Sequence, residues 1–269
     1  MQETFMSNYV KKELLFGTEA KLSYVKTVCE LRLAQKMKIK KVNLTSEYQL
    51  DIDAIASVID PFTKLIFICS PNNPTGNSIN RADVEIILNN FDGIVVIDEA
   101  YINYSKQRSF IAELMEYPNL VVMQTLSKAW GLAGLRLGMA FASQPIIELM
   151  NKVKYPYNIN TATQLLALEA LDNIDWVNEH IATTVVEREN LKNELLNLSF
   201  TEVVYSSDAN FLLAKMKNAR NIYEQLCQKG IIVRDRSKVV LCEDSLRITV
   251  GTPEENKKLI EELSKYKSN

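Results

Sequence analysis

The sequence has little that would bind a metal ion or anchor the chain in a membrane. It contains one histidine, His180, in a predicted helix, and four scattered cysteines without a Cys-x-x-C pair, so we expect no metal site. Its apolar runs are shorter than a bilayer span, and no basic segment followed by an apolar stretch is found at the start. We therefore expect neither membrane insertion nor export, and the cysteine pattern favours a reducing cytoplasmic setting.

A large excess of charge of one sign is also lacking. Lysine and arginine total 31 and aspartate and glutamate 33, which gives a formal net charge of −2 and no general attraction for nucleic acid. The glycines between residues 131 and 138 match neither G-x-G-x-x-G nor the P-loop pattern, which excludes the common nucleotide-binding motifs. The expected partners are therefore small molecules.

Short apolar runs alternate with helical segments from about residue 41 onward. Runs rich in β-branched residues at 65–70, 94–98 and 120–125 have the length of buried strands. Asn80 is a candidate N-cap for a helix between the first two runs. This alternation predicts an α/β fold with a mainly parallel sheet covered by helices.

The pattern changes after residue 156. Thr161 and Gln164 form a candidate capping box for a helix, and a second helix follows it. We expect a large domain over 1–160, and a bridging helix pair with a smaller α+β domain over 161–269. The remaining predicted elements are strands at 202–205, 210–216, 231–233 and 246–250, a helix ending at Gly230 and a helix at 254–266.

Four short polar segments lie at or just after the ends of predicted strands. They are S-P-N-N-P-T-G-N at 70–77, D-E-A-Y at 98–101, T-L-S-K-A at 125–129 and G-L-R-L-G at 134–138. In open α/β sheets the carboxyl ends of the strands line the ligand crevice. These side chains are therefore expected to converge on one small molecule.

Together the segments contain the groups that a pyridoxal 5′-phosphate site needs. Lys128 supplies an amine to attach the cofactor and, once released by substrate, a general base. Asp98 follows an apolar strand, where a carboxylate needs a cation such as a protonated pyridine nitrogen. Asn73 and Tyr101 offer hydrogen bonds to the cofactor's phenolic oxygen.

The same segments offer ligands for the cofactor's phosphate. Thr125 and Ser127 contribute hydroxyls, and Arg136 contributes a planar guanidinium that is always charged. Simpler interpretations stay open beside this one. Lys128 alone is also compatible with a surface position, and the Asn73 segment with an ordinary turn.

The four segments, with L-R-I-T-V-G-T at 246–252, resemble those of the histidinol-phosphate aminotransferases, which are fold-type-I, pyridoxal-phosphate-dependent transferases. The resemblance implies that Arg247, with Arg234 as its partner, holds the carboxylate or phosphate end of the substrate. It also implies a homodimer, and amino-group transfer between L-histidinol phosphate and 2-oxoglutarate. On the residues alone, a surface ion pair of Arg247 with Glu243 or Asp244 stays open as an alternative.

The resemblance extends from about residue 40 to the C-terminus. No glycine-rich G-S-D turn is found before it, and Tyr24 is the sole candidate for an aromatic ring stacked on the cofactor. The chain is therefore interpreted as lacking the family's N-terminal portion, as a fragment, a misplaced start or a decayed copy would. An aromatic aminotransferase, a threonine-phosphate decarboxylase and a non-catalytic remnant remain alternatives.

Overall fold

The structure is a computed structural model that describes residues 13–16 and 39–266. Residues 11–15 have helix-compatible composition, yet Glu13–Phe16 forms a strand that pairs with two neighbours. Pairing within a sheet outweighs the weak local preference of a four-residue segment. Residues 22–33 also have helix-compatible composition, and they lie outside the described residues, as does Tyr24 among them.

In the described part of the chain, six strands form one sheet in the order β2-β1-β3-β4-β5-β6. The strands β1 to β5 run parallel, and β6 is antiparallel to β5. The expected α/β fold with a mainly parallel sheet is confirmed. The strands are β1 Glu13–Phe16, β2 Ile39–Lys41, β3 Thr63–Cys69, β4 Ile94–Asp98, β5 Leu120–Thr125 and β6 Gly138–Ala142.

Helices cover this sheet and complete its core. Helix α1 spans Ile52–Val58 and begins at Asp51, whose carboxylate accepts a hydrogen bond from the amide of Ala54. Helix α2 spans Arg81–Asn90, and Asn80 precedes it without making the expected side-chain cap. The buried residues of α2 are Val84, Ile87 and Leu88, as its apolar periodicity predicts. They pack against Val95, Ile97, Leu120 and Val122 of the central strands.

A second sheet, built from residues of the C-terminal half, has four strands in the order β7-β8-β10-β9. All neighbouring strands in it are antiparallel. The strands are β7 Thr201–Val204, β8 Phe211–Met216, β9 Arg234–Asp235 and β10 Ser245–Thr249. The strand expected at 231–233 is therefore displaced, because only Arg234 and Asp235 lie in register with β10.

Helices on one face of this sheet enclose its core. Leu212, Ala214, Leu246 and Ile248 point into that core, which confirms the α+β character expected of this part. The helices of the second half, with the one that follows β6, are α3 Gln144–Val153, α4 Thr161–Leu171, α5 Ile174–Leu196, α6 Ala219–Gln228 and α7 Pro253–Leu263. Among residues 39–266, no helix is long and apolar enough to cross a membrane.

The start of α4 corrects a predicted capping box. Asn160 is the N-cap, because its side chain accepts a hydrogen bond from the amide of Thr163. Thr161 is already the first helical residue, and Gln164 donates to the carbonyl of Ile159 instead. Asparagine caps helices as well as threonine does, so the adjacent candidates could be separated only by the backbone geometry.

Candidate active site

Three polar segments leave the same edge of the six-stranded sheet. Asp98, the last residue of β4, lies in register with Cys69 of β3 and Met123 of β5. The amide of Ser70 donates to the Asp98 carbonyl at 3.0 Å. Because parallel strands end together, the segments beginning at Ser70, Glu99 and Thr125 leave the sheet at one edge, where ligands bind in open α/β sheets.

Asp98 is half-buried at the end of a strand with a fully buried interior. Its Oδ1 accepts a hydrogen bond from the amide of Ala100 at 3.0 Å, which turns the chain sharply after the strand. This turn leads into Tyr101, which is buried and packs edge-on against Phe211 with 5.2 Å between ring centroids. The Asp98 carboxylate therefore stabilises this turn, and it lies at the edge of the sheet where the other polar segments begin.

Lys128 is exposed, and its amine lies on the side of the crevice where Tyr101 is found. The Nζ atom is 5.4 Å from the centroid of the Tyr101 ring. This distance allows a cation–π contact, and the ring limits where the lysine side chain can move. The structure thus brings together two of the residues that the sequence selected from separate segments.

Thr125, Ser127 and Arg136 lie around one turn between β5 and β6. The Thr125 hydroxyl donates to the Ser127 hydroxyl at 2.9 Å and accepts from the Ser127 amide at 3.1 Å. Arg136 has a left-handed backbone with φ of 55°, and its exposed guanidinium donates to the carbonyl of Ala133 at 3.0 Å. Two hydroxyls and one cation are thus within a short stretch of chain, which suits an anion.

Arg247 joins the two sheets across the crevice. Its guanidinium donates to Oδ1 of Asn73 at 2.8 Å, and its Cζ lies 5.1 Å from the centroid of the Phe211 ring. Its Nε is buried and has no hydrogen-bond partner within the described chain. Burial lowers the pKa of Arg247, and the positive charges of Arg236 and Arg234 lower it further. The guanidinium is therefore held in place with part of its hydrogen-bonding capacity unused.

Arg234 lies directly opposite Arg247 in the ladder between β9 and β10. It is exposed, and its guanidinium donates to the carbonyl of Val233 at 3.2 Å. For residues 39–266, no ion pair joins Arg247 to Glu243 or Asp244, so the geometry does not support the surface-pair alternative. The two arginines of the sequence analysis are neighbours in space.

Most of the chain matches the model of a known protein family. The family model described as aminotransferase class I and II matches residues 23–263. The chain belongs to this family. Its fold-type-I architecture is that of the matching solved structures, and the cofactor of the family is pyridoxal 5′-phosphate.

Several curated aminotransferases are similar in sequence to the chain over most of its length. It is 49% identical over 224 residues to histidinol-phosphate aminotransferase of Flavobacterium johnsoniae, a match that covers 83% of this chain and 64% of that protein. It is 50% identical over 228 residues to the enzyme of the same name from Cytophaga hutchinsonii, which covers 85% of this chain and 66% of that protein. The chain thus spans slightly less than two thirds of the length of these relatives.

A solved structure supports the fold independently. The crystal structure of histidinol-phosphate aminotransferase from Clostridium acetobutylicum superposes with a TM-score of 0.84 at 22% identity, covering 96% of this chain and 79% of that one. At this identity the likeness concerns the fold. It is the fold that places the strand ends and the arginine pair on the two sides of one crevice.

The described residues of this aminotransferase chain suit pyridoxal phosphate by their chemistry. The half-buried Asp98 carboxylate suits the pyridine nitrogen, and the hydroxyls of Thr125 and Ser127 with Arg136 suit a phosphate. The amine of Lys128 is accessible from the crevice. Within the described residues, no group of three or more histidine, cysteine or acidic side chains is arranged to hold a metal ion.

Glu99, the residue after Asp98, is not singled out by any motif in the sequence. Its carboxylate is 1% exposed and accepts hydrogen bonds from the Ser109 hydroxyl at 2.5 Å, the Phe110 amide at 2.7 Å and the Gln124 side-chain amide at 2.9 Å. Gln124 precedes Thr125, so Glu99 ties the ends of two strands to the loop beneath them. The available signal was an acidic residue between two apolar segments.

Arg188 of α5 was also overlooked. It is 3% exposed and donates to the carbonyls of Ala209 at 2.9 Å and Tyr104 at 3.3 Å. Ala209 lies in the loop that leads into Phe211 of β8, and Tyr104 ends the short helical turn that follows Tyr101. Arg188 therefore holds the two aromatic rings of the crevice in a fixed relation, and no sequence pattern singles it out among the charged residues of a long helix.

Proposed function

We propose that this aminotransferase chain supports pyridoxal-phosphate-dependent transfer of the amino group of L-histidinol phosphate to 2-oxoglutarate, which gives imidazole acetol phosphate and glutamate, a step of histidine biosynthesis. One observation carries the proposal. A series of contacts links residues that this chemistry would use: Arg247 donates to Asn73 and lies beside the Phe211 ring, which packs against Tyr101, and the amine of Lys128 lies 5.4 Å from the centroid of the Tyr101 ring. This series occurs in a chain about half identical to relatives of that name.

The residues around Lys128 would hold the cofactor and move protons. When bound, pyridoxal phosphate supplies an electron sink for the bonds of the substrate's amine carbon. The Asp98 carboxylate keeps a proton on the pyridine nitrogen, and the Lys128 amine removes and returns the proton at the substrate carbon. The Tyr101 ring limits the reach of that amine.

The other residues would fix the ends of the two molecules. Thr125, Ser127 and Arg136 hold the cofactor's phosphate, and Asn73 donates to its phenolic oxygen. The hydrogen bond from Arg247 to Asn73 couples the cofactor side of the crevice to the substrate side. Arg247, with Arg234, binds the anionic end of the substrate, where a guanidinium fork matches a carboxylate or a phosphate.

The proposal includes an assembly and a location. We propose a homodimer acting on small amino and oxo acids in the cytoplasm, without a nucleic-acid partner. We also propose a large domain over 1–160, and bridging helices with a small domain over 161–269, and the positions of the two sheets support this division.

The first experiment tests attachment of the cofactor. Purified chain is mixed with pyridoxal phosphate, and its absorbance spectrum is recorded before and after borohydride reduction. We expect a visible imine band in the wild-type chain. Borohydride reduces the C=N bond, so the band disappears while the cofactor stays covalently bound to the protein, and neither the band nor the bound cofactor is expected in Lys128→Ala. Lys152→Ala is the matched control, because Lys152 is an exposed lysine on α3. A Lys128→Ala spectrum identical to the wild-type spectrum would contradict the role of Lys128.

The second experiment tests the substrate. The loaded chain is given L-histidinol phosphate and 2-oxoglutarate, and glutamate formation is followed. We expect turnover that is lost in Lys128→Ala and retained in Lys152→Ala. A band without turnover of histidinol phosphate, but with turnover of phenylalanine or release of carbon dioxide from threonine phosphate, would replace the proposed substrate. Absence of any band at saturating cofactor would leave the non-catalytic interpretation.

A further inference from the structure

A third arginine, Arg236, lies on the same face of the four-stranded sheet as Arg234 and Arg247. Arg234 lies opposite Arg247, and the amide of Arg236 donates to the carbonyl of Ser245 at 2.8 Å, which extends the pairing one residue beyond Asp235. Side chains alternate between the faces of a strand, so residues 234, 236 and 247 project from one face. Leu246 points the other way, into the core under the helices.

These arginines have no acidic partner within the described part of the chain. The Nε atoms of Arg236 and Arg247 are both buried and have no hydrogen-bond partner there. The neighbouring Asp235 does not compensate them, because its carboxylate pairs with Arg220 at 3.3 Å. Three guanidinium groups near one another repel, and partly buried charges without counter-charges are costly. Such an arrangement is stabilised when an anion binds between them.

The charges of this arginine cluster, Arg234, Arg236 and Arg247, act on one another. Besides burial, the largest influence lowering the pKa of Arg247 is the charge of Arg236, ahead of that of Arg234. Arg236 is also close enough to Cys242 to favour its thiolate. Cys242 packs with Tyr48 and Leu213, and Leu213 lies in register with Arg247. The Arg236 guanidinium therefore lies on the face of the small sheet that carries Arg247.

We propose that Arg236 is a specificity-determining residue that makes the arginine cluster prefer a phosphate monoester over a carboxylate. The inference deepens the proposed function, on which it rests. A phosphate monoester carries close to two negative charges and three acceptor oxygens, whereas a carboxylate carries one charge and two oxygens. Arg247 and Arg234 suffice for a carboxylate.

A third guanidinium is needed because Arg247 and Arg234 offer too few available N–H donors for the three oxygens of a phosphate. Arg247 already spends one N–H on Asn73 and is fixed by the Phe211 ring, so it cannot turn to follow a tetrahedral anion. Arg234 is exposed, and solvent screens its charge. Arg236 has a buried donor without a partner among the described residues, and it follows Arg234 by two positions on the strand that pairs with β10. It therefore supplies the contact that the third oxygen requires.

The test is direct binding by calorimetry, with ethyl phosphate and acetate as probes. The full chain carries Arg136→Gln in every sample, which removes the other candidate phosphate site. Adding Arg236→Gln should weaken ethyl phosphate binding about tenfold, as expected for one charge-assisted hydrogen bond, and change acetate binding less than about twofold. Arg236→Lys, which keeps the charge without the fork, should fall between. Lys257→Gln, an exposed control on α7 that also removes one positive charge, should change neither.

Three results would overturn the proposal. They are equal weakening of both probes by Arg236→Gln, no change in either, and no measurable ethyl phosphate binding by the Arg136→Gln parent. If Arg236→Gln fails to fold by circular dichroism, Arg236→Lys decides by the same criterion. Because binding needs no turnover, a positive result in this test together with no transamination of histidinol phosphate by the wild-type chain would refute the proposed function alone. Turnover with no effect of Arg236 would refute this inference alone.

Discussion

Replacing Glu99 by glutamine should destabilise the chain strongly although it changes one atom. The Glu99 carboxylate is buried and surrounded by donors, namely the Ser109 hydroxyl, the Phe110 amide and the Gln124 side-chain amide. A glutamine keeps one acceptor oxygen, which can serve the Phe110 amide. Its new NH2 group would face another NH2 group at Gln124, and two donors cannot pair.

The size of the loss follows from these contacts. A hydrogen bond to a charged group contributes about 1.5–3 kcal/mol, and an unsatisfied buried donor costs about 1–3 kcal/mol. The hydroxyl of Ser109 can rotate and accept from the new amide, which offsets part of the loss. We therefore expect Glu99→Gln to lower the free energy of unfolding by about 2–3 kcal/mol.

Urea unfolding followed by circular dichroism measures this loss. The midpoint should fall while the slope stays the same, since the area exposed on unfolding is unchanged. Glu179→Gln is the matched control, because Glu179 is exposed on α5, and it should change the free energy by less than about 0.5 kcal/mol. If Glu99→Gln were as stable as the control, the carboxylate could not be what holds these loops.

Two further predictions concern the core of the small sheet and the thiol beside the crevice. Leu212→Ala, at a fully buried position of β8, should cost about 2–5 kcal/mol in urea unfolding, whereas Met115→Ala, at a position 98% exposed, should cost less than about 0.5 kcal/mol; equal losses would contradict the assigned core. Burial raises the pKa of Cys242 from 9.0 to about 11, so the stability this thiol contributes is complete below the unfolded pKa and is lost as pH rises through the folded value. The wild-type free energy of unfolding should therefore fall relative to that of Cys242→Ala by about 2 kcal/mol between pH 8 and 11, and a constant difference would refute the burial effect.

The central strands and covering helices of the large sheet were predictable from local patterns. The runs at 94–98 and 120–125 are strands with the predicted bounds, because continuous β-branched residues suit a strand buried on both faces. The errors concern the first residues of α4 and β9, where adjacent residues have similar local preferences. Asn160 and Thr161 are both good caps, and β9 begins at Arg234 because its pairing with β10 decides its register.

The candidate site was predictable to the extent that it consists of strand ends. Asp98, Lys128 and Asn73 follow strands or the segments next to them, and the rule that parallel strands end together brought them to one crevice. Glu99 and Arg188 were not predictable, since their partners come from loops distant in sequence. The role of each in the reaction remains a proposal.

By itself, the sequence determined which residues are available and on which kind of element each lies. Its apolar periodicity specified the mainly parallel sheet, and its motifs specified the aminotransferase family, because both are local properties of the chain. The tertiary structure alone decided which charges meet. Arg247 reaches Asn73 across 174 residues of sequence, and Arg236 joins Arg234 and Arg247 through the pairing of β9 with β10. Long-range pairing sets the distance between side chains, and electrostatic interaction depends on that distance rather than on sequence separation.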